Sequence, residues 1–220
     1  MLKDYPNAIF CDVTSKSPYL GLRQLSPYYP WGGIPVSFSP GVEASCVEAV
    51  WQGLKVFENY GIDIGLFSNN TMKGLKRSSR TYGKVLGHRK GIDGDTLLNY
   101  LDARKKIFIP TYKWMLENKA FKSVERIRAF CADYPEYTLV LLDYQTNCII
   151  DDLSKPLSHA FLVKAYVEGL YPYEDVIVEK KVPHIYLGRH VVQWTTTEYS
   201  FKELPAVLDN DKQLKFDFDE

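Results

Sequence analysis

Apolar runs of two different periods divide this chain into elements. Ala8 to Val13 (AIFCDV) is short and continuously apolar and predicts a strand. Tyr137 to Leu142 (YTLVLL) is richer in β-formers and predicts a buried strand, ending in a turn at Asp143 to Asn147. Between them the period lengthens. Pro40 to Tyr60, PGVEASCVEAVWQGLKVFENY, predicts one helix of about four to five turns, from the Ser39-Pro40-Gly41 turn to Tyr60-Gly61. Asp95 is placed to cap a helix through Lys106, with Leu97, Leu98, Leu101 and Ile107 on its apolar side. Pro110 interrupts that helix, and a second runs from Thr111 to about Lys119. Ser123 to Tyr134 predicts a further amphipathic helix, and Ser158 caps one that reaches about Gly169. Beyond Tyr171, the segments Val176 to Val178, Pro183 to Leu187 and His190 to Thr197 predict strands, the last two as a hairpin around Gly188-Arg189. The elements together predict an α+β fold, mostly helical, with a small β-rich C-terminal extension.

The Pro40–Tyr60 stretch carries the strongest chemical signal. At ~100° per residue, Glu48, Gln52 and Lys55 fall within a stripe ~60° wide. Val47, Val50, Trp51, Leu54, Val56 and Phe57 cover most of the remaining circumference. A helix apolar nearly all round is buried, and buried Glu and Lys are costly unless paired or facing a polar cavity. Three readings follow from the pattern: a pocket wall, an internal Glu48–Lys55 ion pair, or an ordinary solvent face.

Composition narrows the classes. The 220 residues suit one large domain or two small ones, and one is expected: residues 1–170 as core, 171–212 as a β-rich extension and 213–220 as a flexible tail. With 27 basic and 27 acidic residues the formal net charge is zero, so bulk electrostatics do not point to nucleic acid. A local exception is Thr71 to Lys90, which holds Lys73, Lys76, Arg77, Arg80, Lys84, Arg89 and Lys90 and no acid. If helical, its first five basic residues share one face, although Gly74 and Gly83 each weaken the helix by about 1 kcal/mol. It reads equally as a solvated face or as a phosphate-binding or nucleic-acid-binding surface. Sixteen Tyr, 11 Phe and 4 Trp allow either a larger aromatic core or stacking on a planar ligand. The four cysteines, Cys11, Cys46, Cys131 and Cys148, are scattered without metal spacing, so neither metal nor cofactor is called for and reduced, mostly buried thiols are expected. The first ten residues lack the apolar core of a signal peptide, and no run approaches a membrane span, so a soluble cytoplasmic protein is expected.

Two motifs in order give these elements a family context. Leu25-Ser26-Pro27-Tyr28-Tyr29-Pro30-Trp31-Gly32-Gly33-Ile34 must be an ordered loop with left-handed backbone, because prolines and paired glycines forbid a helix. It is similar to the L-S-N-F-Y-P-x-P-I stretch of the NADAR superfamily, with Pro27 at the family's Asn. Glu48-Ala49-Val50-Trp51-Gln52-Gly53-Leu54-Lys55-Val56-Phe57 resembles that superfamily's E-H-x-F-Q-A-x-K-F signature. Leu86-Gly87-His88-Arg89 loosely fits its Leu-Gly-Arg turn with His88 inserted, and Asp151 or Asp152 falls where the family has an acidic residue. The family's D-x-x-W-G-x-G is absent, and the resemblance spans roughly residues 25–119.

The resemblance implies an N-glycosidase acting on a ribosylated or ADP-ribosylated nucleobase-like substrate, a class that includes riboflavin-pathway intermediates. It implies Lys55 as nucleophile through a Schiff base, Glu48 as acid/base and Asp152 as a further catalytic group. Gln52, Trp51, Tyr28, Tyr29, Trp31, His88, Arg89 and Asp151 would contact the substrate. Independently, a lysine in an apolar wall has a lowered pKa and suits nucleophilic attack, and a nearby glutamate suits proton transfer. Two alternatives stand beside it. One is a nucleic-acid-associated, base-modifying or base-removing protein, reached through Lys73–Lys90 and tethered to a sliding clamp by the Gln213–Glu220 tail. The other is a non-catalytic ligand-binding protein. Oligomeric state is not legible.

Overall fold

The computed structural model describes residues 7–172 and 185–189. In chain order the strands are β1 (Ala8–Asp12), β2 (Ile34–Pro35), β3 (Glu43–Ala44), β4 (Lys55–Phe57), β5 (Val85–Arg89), β6 (Leu97–Leu98), β7 (Thr138–Asp143) and β8 (Ile185–Arg189). The helices are α1 (Leu20–Arg23), α2 (Val47–Gly53), α3 (Ser79–Tyr82), α4 (Tyr100–Ala103), α5 (Ile109–Asn118), α6 (Phe121–Asp133) and α7 (His159–Val167). The class is α+β. Among the described residues no helix is long and apolar enough to cross a membrane. The described cysteines are all free, and Cys11, Cys46 and Cys131 are buried.

The chain forms two compact units that do not follow sequence order. Of the described residues, the first takes 7–25, 122–148, 156–172 and 185–189, and the second takes 26–121 and 149–155. In the first unit, β1, β7 and β8 form a parallel sheet in the order β1-β7-β8. The central strand β7 is buried from Leu139 to Asp143, the pattern expected of a strand covered on both faces. Helix α7 packs on β7 and β8 between them in sequence, a βαβ arrangement. Its N-terminus is capped as expected, Ser158 Oγ accepting from the Phe161 N–H. The hairpin expected around Gly188-Arg189 is not formed, because both residues lie within β8, opposite Leu142 and Asp143. The strands expected at Val176–Val178 and His190–Thr197, and the tail from Gln213, lie outside the described residues.

The second unit holds a β2–β3 hairpin, an antiparallel β4-β5-β6 sheet and a long helical segment. That segment is one run, α4 to α5, rather than two helices broken at Pro110. A π-helical turn, Arg104–Phe108, joins them and leaves Pro110 in the first turn of α5. Proline has no N–H to donate to the carbonyl four residues back and its ring crowds that oxygen, and the wider π turn relieves the clash. The N-cap is Asn99, not Asp95, because Leu97 and Leu98 are taken by β6. Buried Arg104 donates to the carbonyls of Ile150, Asp152 and Lys155, which fastens residues 149–155 to this unit.

Candidate active site

The helix expected over Pro40–Tyr60 is only two turns long. Pro40 and Gly41 belong to the bend between β2 and β3, with Gly41 at φ +78°. Helix α2 starts at Cys46, whose Sγ accepts from the Ala49 N–H at 3.3 Å, and ends at Leu54. Lys55 already belongs to strand β4, which pairs antiparallel with β5. The β-branched and aromatic pair Val56-Phe57 suits a strand better than a helix, and β5 supplies the partner that local periodicity cannot reveal.

The polar stripe survives this change. Every side chain of α2 is buried, Glu48 and Gln52 included. Gln52 Nε2 donates to Glu48 Oε1 at 2.7 Å, and Lys55 Nζ donates to Gln52 Oε1 at 2.9 Å. The Arg77 backbone N–H donates to the same Gln52 oxygen at 3.3 Å. Two donors on one face of the amide and an acceptor on the other fix its orientation. Glu48 and Lys55 are thus neither a direct ion pair nor a solvent face. They are joined through an amide.

Burial dominates the electrostatics. It lowers the Lys55 pKa to about 8; the Glu48 charge opposes this, while Arg77 and Lys76 add to it. Burial likewise pushes the Glu48 carboxyl above its ordinary value, against the hydrogen bond from Gln52 and the charge of Lys55. Tyr28 also hydrogen-bonds Glu48, and burial raises its phenol well above the usual range. The site therefore pairs an amine biased toward its free base with a carboxyl biased toward its acid.

The Leu25–Ile34 loop is ordered and left-handed where expected, with Gly32 at φ +70° and Gly33 at φ +63°. The Glu48 N–H donates to the Pro27 carbonyl at 2.8 Å, which seats the loop on the start of α2 and puts Tyr28 at Glu48. Tyr29 and Trp31 are half-buried and pack edge to face, with centroids 5.0 Å apart. His88 on β5 is directly opposite Lys55 on β4. Its ring stacks on Trp51 at 3.8 Å, is fully buried, and neither ring nitrogen has a hydrogen-bond partner. Burial, then the Lys55 charge, lowers its pKa to about 3, so it is neutral. The Lys55 ammonium nitrogen lies 5.8 Å from the Trp51 ring centroid.

Other expected residues are engaged elsewhere. Arg89 follows His88 in β5, and alternation along a strand sends it to the other face. Asp151 is exposed and pairs with Lys105 at 2.5 Å. Asp152 Oδ1 accepts from the Ser154 N–H at 2.9 Å, and its pKa is lowered by Ser154, Lys155 and Arg104. The structure groups the two aspartates with Arg104 and Lys105, while the charges acting on Lys55 are Glu48, Arg77 and Lys76.

The basic run is not one helical face. Residues 71–78 are irregular, α3 is a single turn, and β5 takes Val85 onward. Within it Leu75 and Arg77 are buried while Lys76 and Ser78 are exposed. In the sequence Arg77 reads as one surface base among several, and no local signal marks it as internal: the rings that enclose it, Phe57, Tyr60 and Tyr82, come from other segments or later in the chain. Among the described residues no group of acids, histidines and cysteines could hold a metal ion.

These features define an α+β protein in which a half-buried amine is hydrogen-bonded through a buried amide to a buried carboxyl. The chain belongs to DUF6939, a family of unknown function, whose model matches residues 1–163. No curated protein and no solved structure matches it.

Proposed function

We propose that the protein is an N-glycosidase of NADAR type, cleaving the bond between a ribosyl carbon and a nucleobase-like nitrogen. The observation that carries the reading is the Lys55–Gln52–Glu48 hydrogen-bonded chain, with the Lys55 pKa at about 8. An amine so placed is largely uncharged at mildly alkaline pH and nucleophilic without a separate base. In the first step the Lys55 nitrogen bonds to the anomeric carbon as the glycosidic C–N bond breaks. The departing base takes its proton from Glu48, whose raised pKa suits a general acid. The sugar is held as an imine after ring opening. Water adds to that carbon as the Glu48 carboxylate takes its proton, the C–N bond to Lys55 breaks, and the free sugar leaves with the amine and the Glu48 acid both restored. Gln52 holds the two ionisable groups at a fixed spacing, and the Tyr28 hydroxyl steadies Glu48.

Release of free base from ADP-ribosylated guanosine, or from a riboflavin-pathway ribosylamine, tests the reading. Lys55→Ala is expected to abolish turnover while the circular dichroism spectrum stays that of the wild type. Equal base release by the folded variant would refute the assignment.

A further inference from the structure

Arg77 is, with Arg104, a buried guanidinium of the second unit held by main-chain carbonyls. Only 5% of it is exposed, yet no carboxylate is paired with it among its hydrogen bonds. Nη1 donates to the Gln52 carbonyl at 3.2 Å and to the Lys55 carbonyl at 2.8 Å, and Nη2 donates to the Gly61 carbonyl at 2.7 Å. Phe57, Tyr60 and Tyr82 surround the guanidinium carbon, with ring centroids 4.8 to 5.1 Å away. Its Nε is buried with no partner. A buried guanidinium is costly, and an aromatic cage with three carbonyls offsets that cost without neutralising the charge. Methionine or leucine would fill the space without the penalty, so the retained charge calls for a role.

Its contacts supply one. The two carbonyls on Nη1 belong to the residues that bracket the helix-to-strand turn, Gln52 and Lys55. The Arg77 main chain meets the side-chain oxygen that holds the Lys55 amine. We propose that Arg77 is the positioning residue of the Lys55 site: it fixes the turn from which Lys55 projects and sets a permanent like charge beside the amine. The inference rests on Lys55 acting as a nucleophile. Glu48 and Gln52 face Lys55 from α2, Lys76 and Arg77 from the segment before α3, and His88 from β5. Of these Glu48 favours the ammonium form. Arg77 and Lys76 oppose it, Arg77 from a buried position where solvent screens it least. His88 is neutral, and its imidazole contributes burial.

The test reads Lys55 directly with glycolaldehyde. The amine and the aldehyde condense to an imine with loss of water, and borohydride delivers hydride to the imine carbon, leaving a stable secondary amine. Occupancy at Lys55 is measured by peptide mass spectrometry against exposed Lys122 from pH 6 to 11. In the wild type half-maximal trapping is expected near pH 8. Arg77→Gln removes the charge and is expected to move the midpoint up by at least one pH unit. Arg77→Lys keeps the charge but not the fork; its midpoint is expected to stay near 8 while the trapping rate on the plateau falls at least tenfold. A folded Arg77→Gln with the wild-type midpoint overturns the proposal. So does an Arg77→Lys that matches the wild type in both midpoint and rate. If neither variant folds, Arg77 only supports the structure and the proposal likewise falls. A wild type trapped at Lys122 but never at Lys55 is a different result, because it removes the nucleophile and not the role of Arg77 alone.

Discussion

Lys55 and His88 stand directly opposite each other across β4 and β5, and the His88 ring is roofed by Trp51. Residues opposed in antiparallel strands put their side chains on the same face. A fully buried imidazole with two unpartnered nitrogens is a standing cost, of order 1–3 kcal/mol for each unsatisfied group. His88→Leu removes both nitrogens at similar volume. It is expected to leave stability unchanged or raise it by up to about 2 kcal/mol, whereas loss of a well-bonded histidine lowers it. Urea denaturation at pH 7 reads the difference. A loss above about 2 kcal/mol would mean the imidazole is satisfied within the fold.

Glu48 and Arg77 act on the Lys55 amine with opposite signs. The Glu48 charge raises the Lys55 pKa and Arg77 lowers it, burial being the larger lowering cause. Glu48→Gln should therefore move the Lys55 trapping midpoint below about 8, opposite in direction to Arg77→Gln. The substitution keeps an oxygen for Gln52 Nε2, so the local fold is expected to hold. An unchanged midpoint in Glu48→Gln would show that the carboxyl is already neutral beside Lys55, and a rise would overturn the assigned sign of its effect.

What could be read from sequence was what local pattern determines. β1, β7, α6 and α7 lie within a residue or two of their expected places, because each buries a continuous or periodic apolar run and ends at a cap or turn. The Glu48/Gln52/Lys55 stripe was also legible, because only α2 and the following residue turn are needed to join the three groups. The end of α2 was not. Lys55 to Phe57 leave the helix to pair with β5, about thirty residues on, and no window over Pro40–Tyr60 contains that partner. Arg77 was misplaced for a related reason. A run of bases reads as surface, and only the tertiary cage of Phe57, Tyr60 and Tyr82 makes one of them internal.

In the first unit, Asp143 Oδ2 accepts from Ser158 Oγ, from the His159 N–H and from His159 Nδ1, the last at 2.9 Å. His159 Nε2 lies 2.9 Å from the Val13 carbonyl oxygen. Two acceptors on two ring nitrogens require the imidazolium form. For His159, burial works against the charge but Asp143 outweighs it, so the pKa is raised. For Asp143, burial is again outweighed, here by His159 and Ser158, and the pKa falls to about 2. The Asp143 contribution is full above its unfolded value near 3.9 and is lost as pH falls toward about 2. The His159 contribution is full below its unfolded value near 6.5 and is lost as pH rises through the raised folded value. Unfolding free energy should therefore peak between about pH 4 and 6.5, with Asp143→Asn costing about 3–5 kcal/mol there. Urea titrations across pH 3 to 9 check this; an Asp143→Asn cost that is flat with pH would exclude the charged pair.

Gly53 sits where α2 gives way to the Lys55 strand, and its lack of a side chain is used. A Cβ there would collide with the buried Phe67 ring and come within 3.1 Å of the Asp63 carbonyl oxygen. The Asp63 N–H donates to the Gly53 carbonyl at 2.8 Å, so the backbone has little room to withdraw. Overpacking of this kind costs about 1–3 kcal/mol, against the small gain in helix propensity that alanine normally brings. Gly53→Ala is expected to lower the urea midpoint by a corresponding amount. Because Gly53 is joined to Gln52 and lies two residues before Lys55, it should also reduce glycolaldehyde trapping at Lys55 relative to Lys122. A stabilised variant with undiminished trapping would show that Phe67 moves aside freely, and that the turn holding the amine does not depend on the glycine.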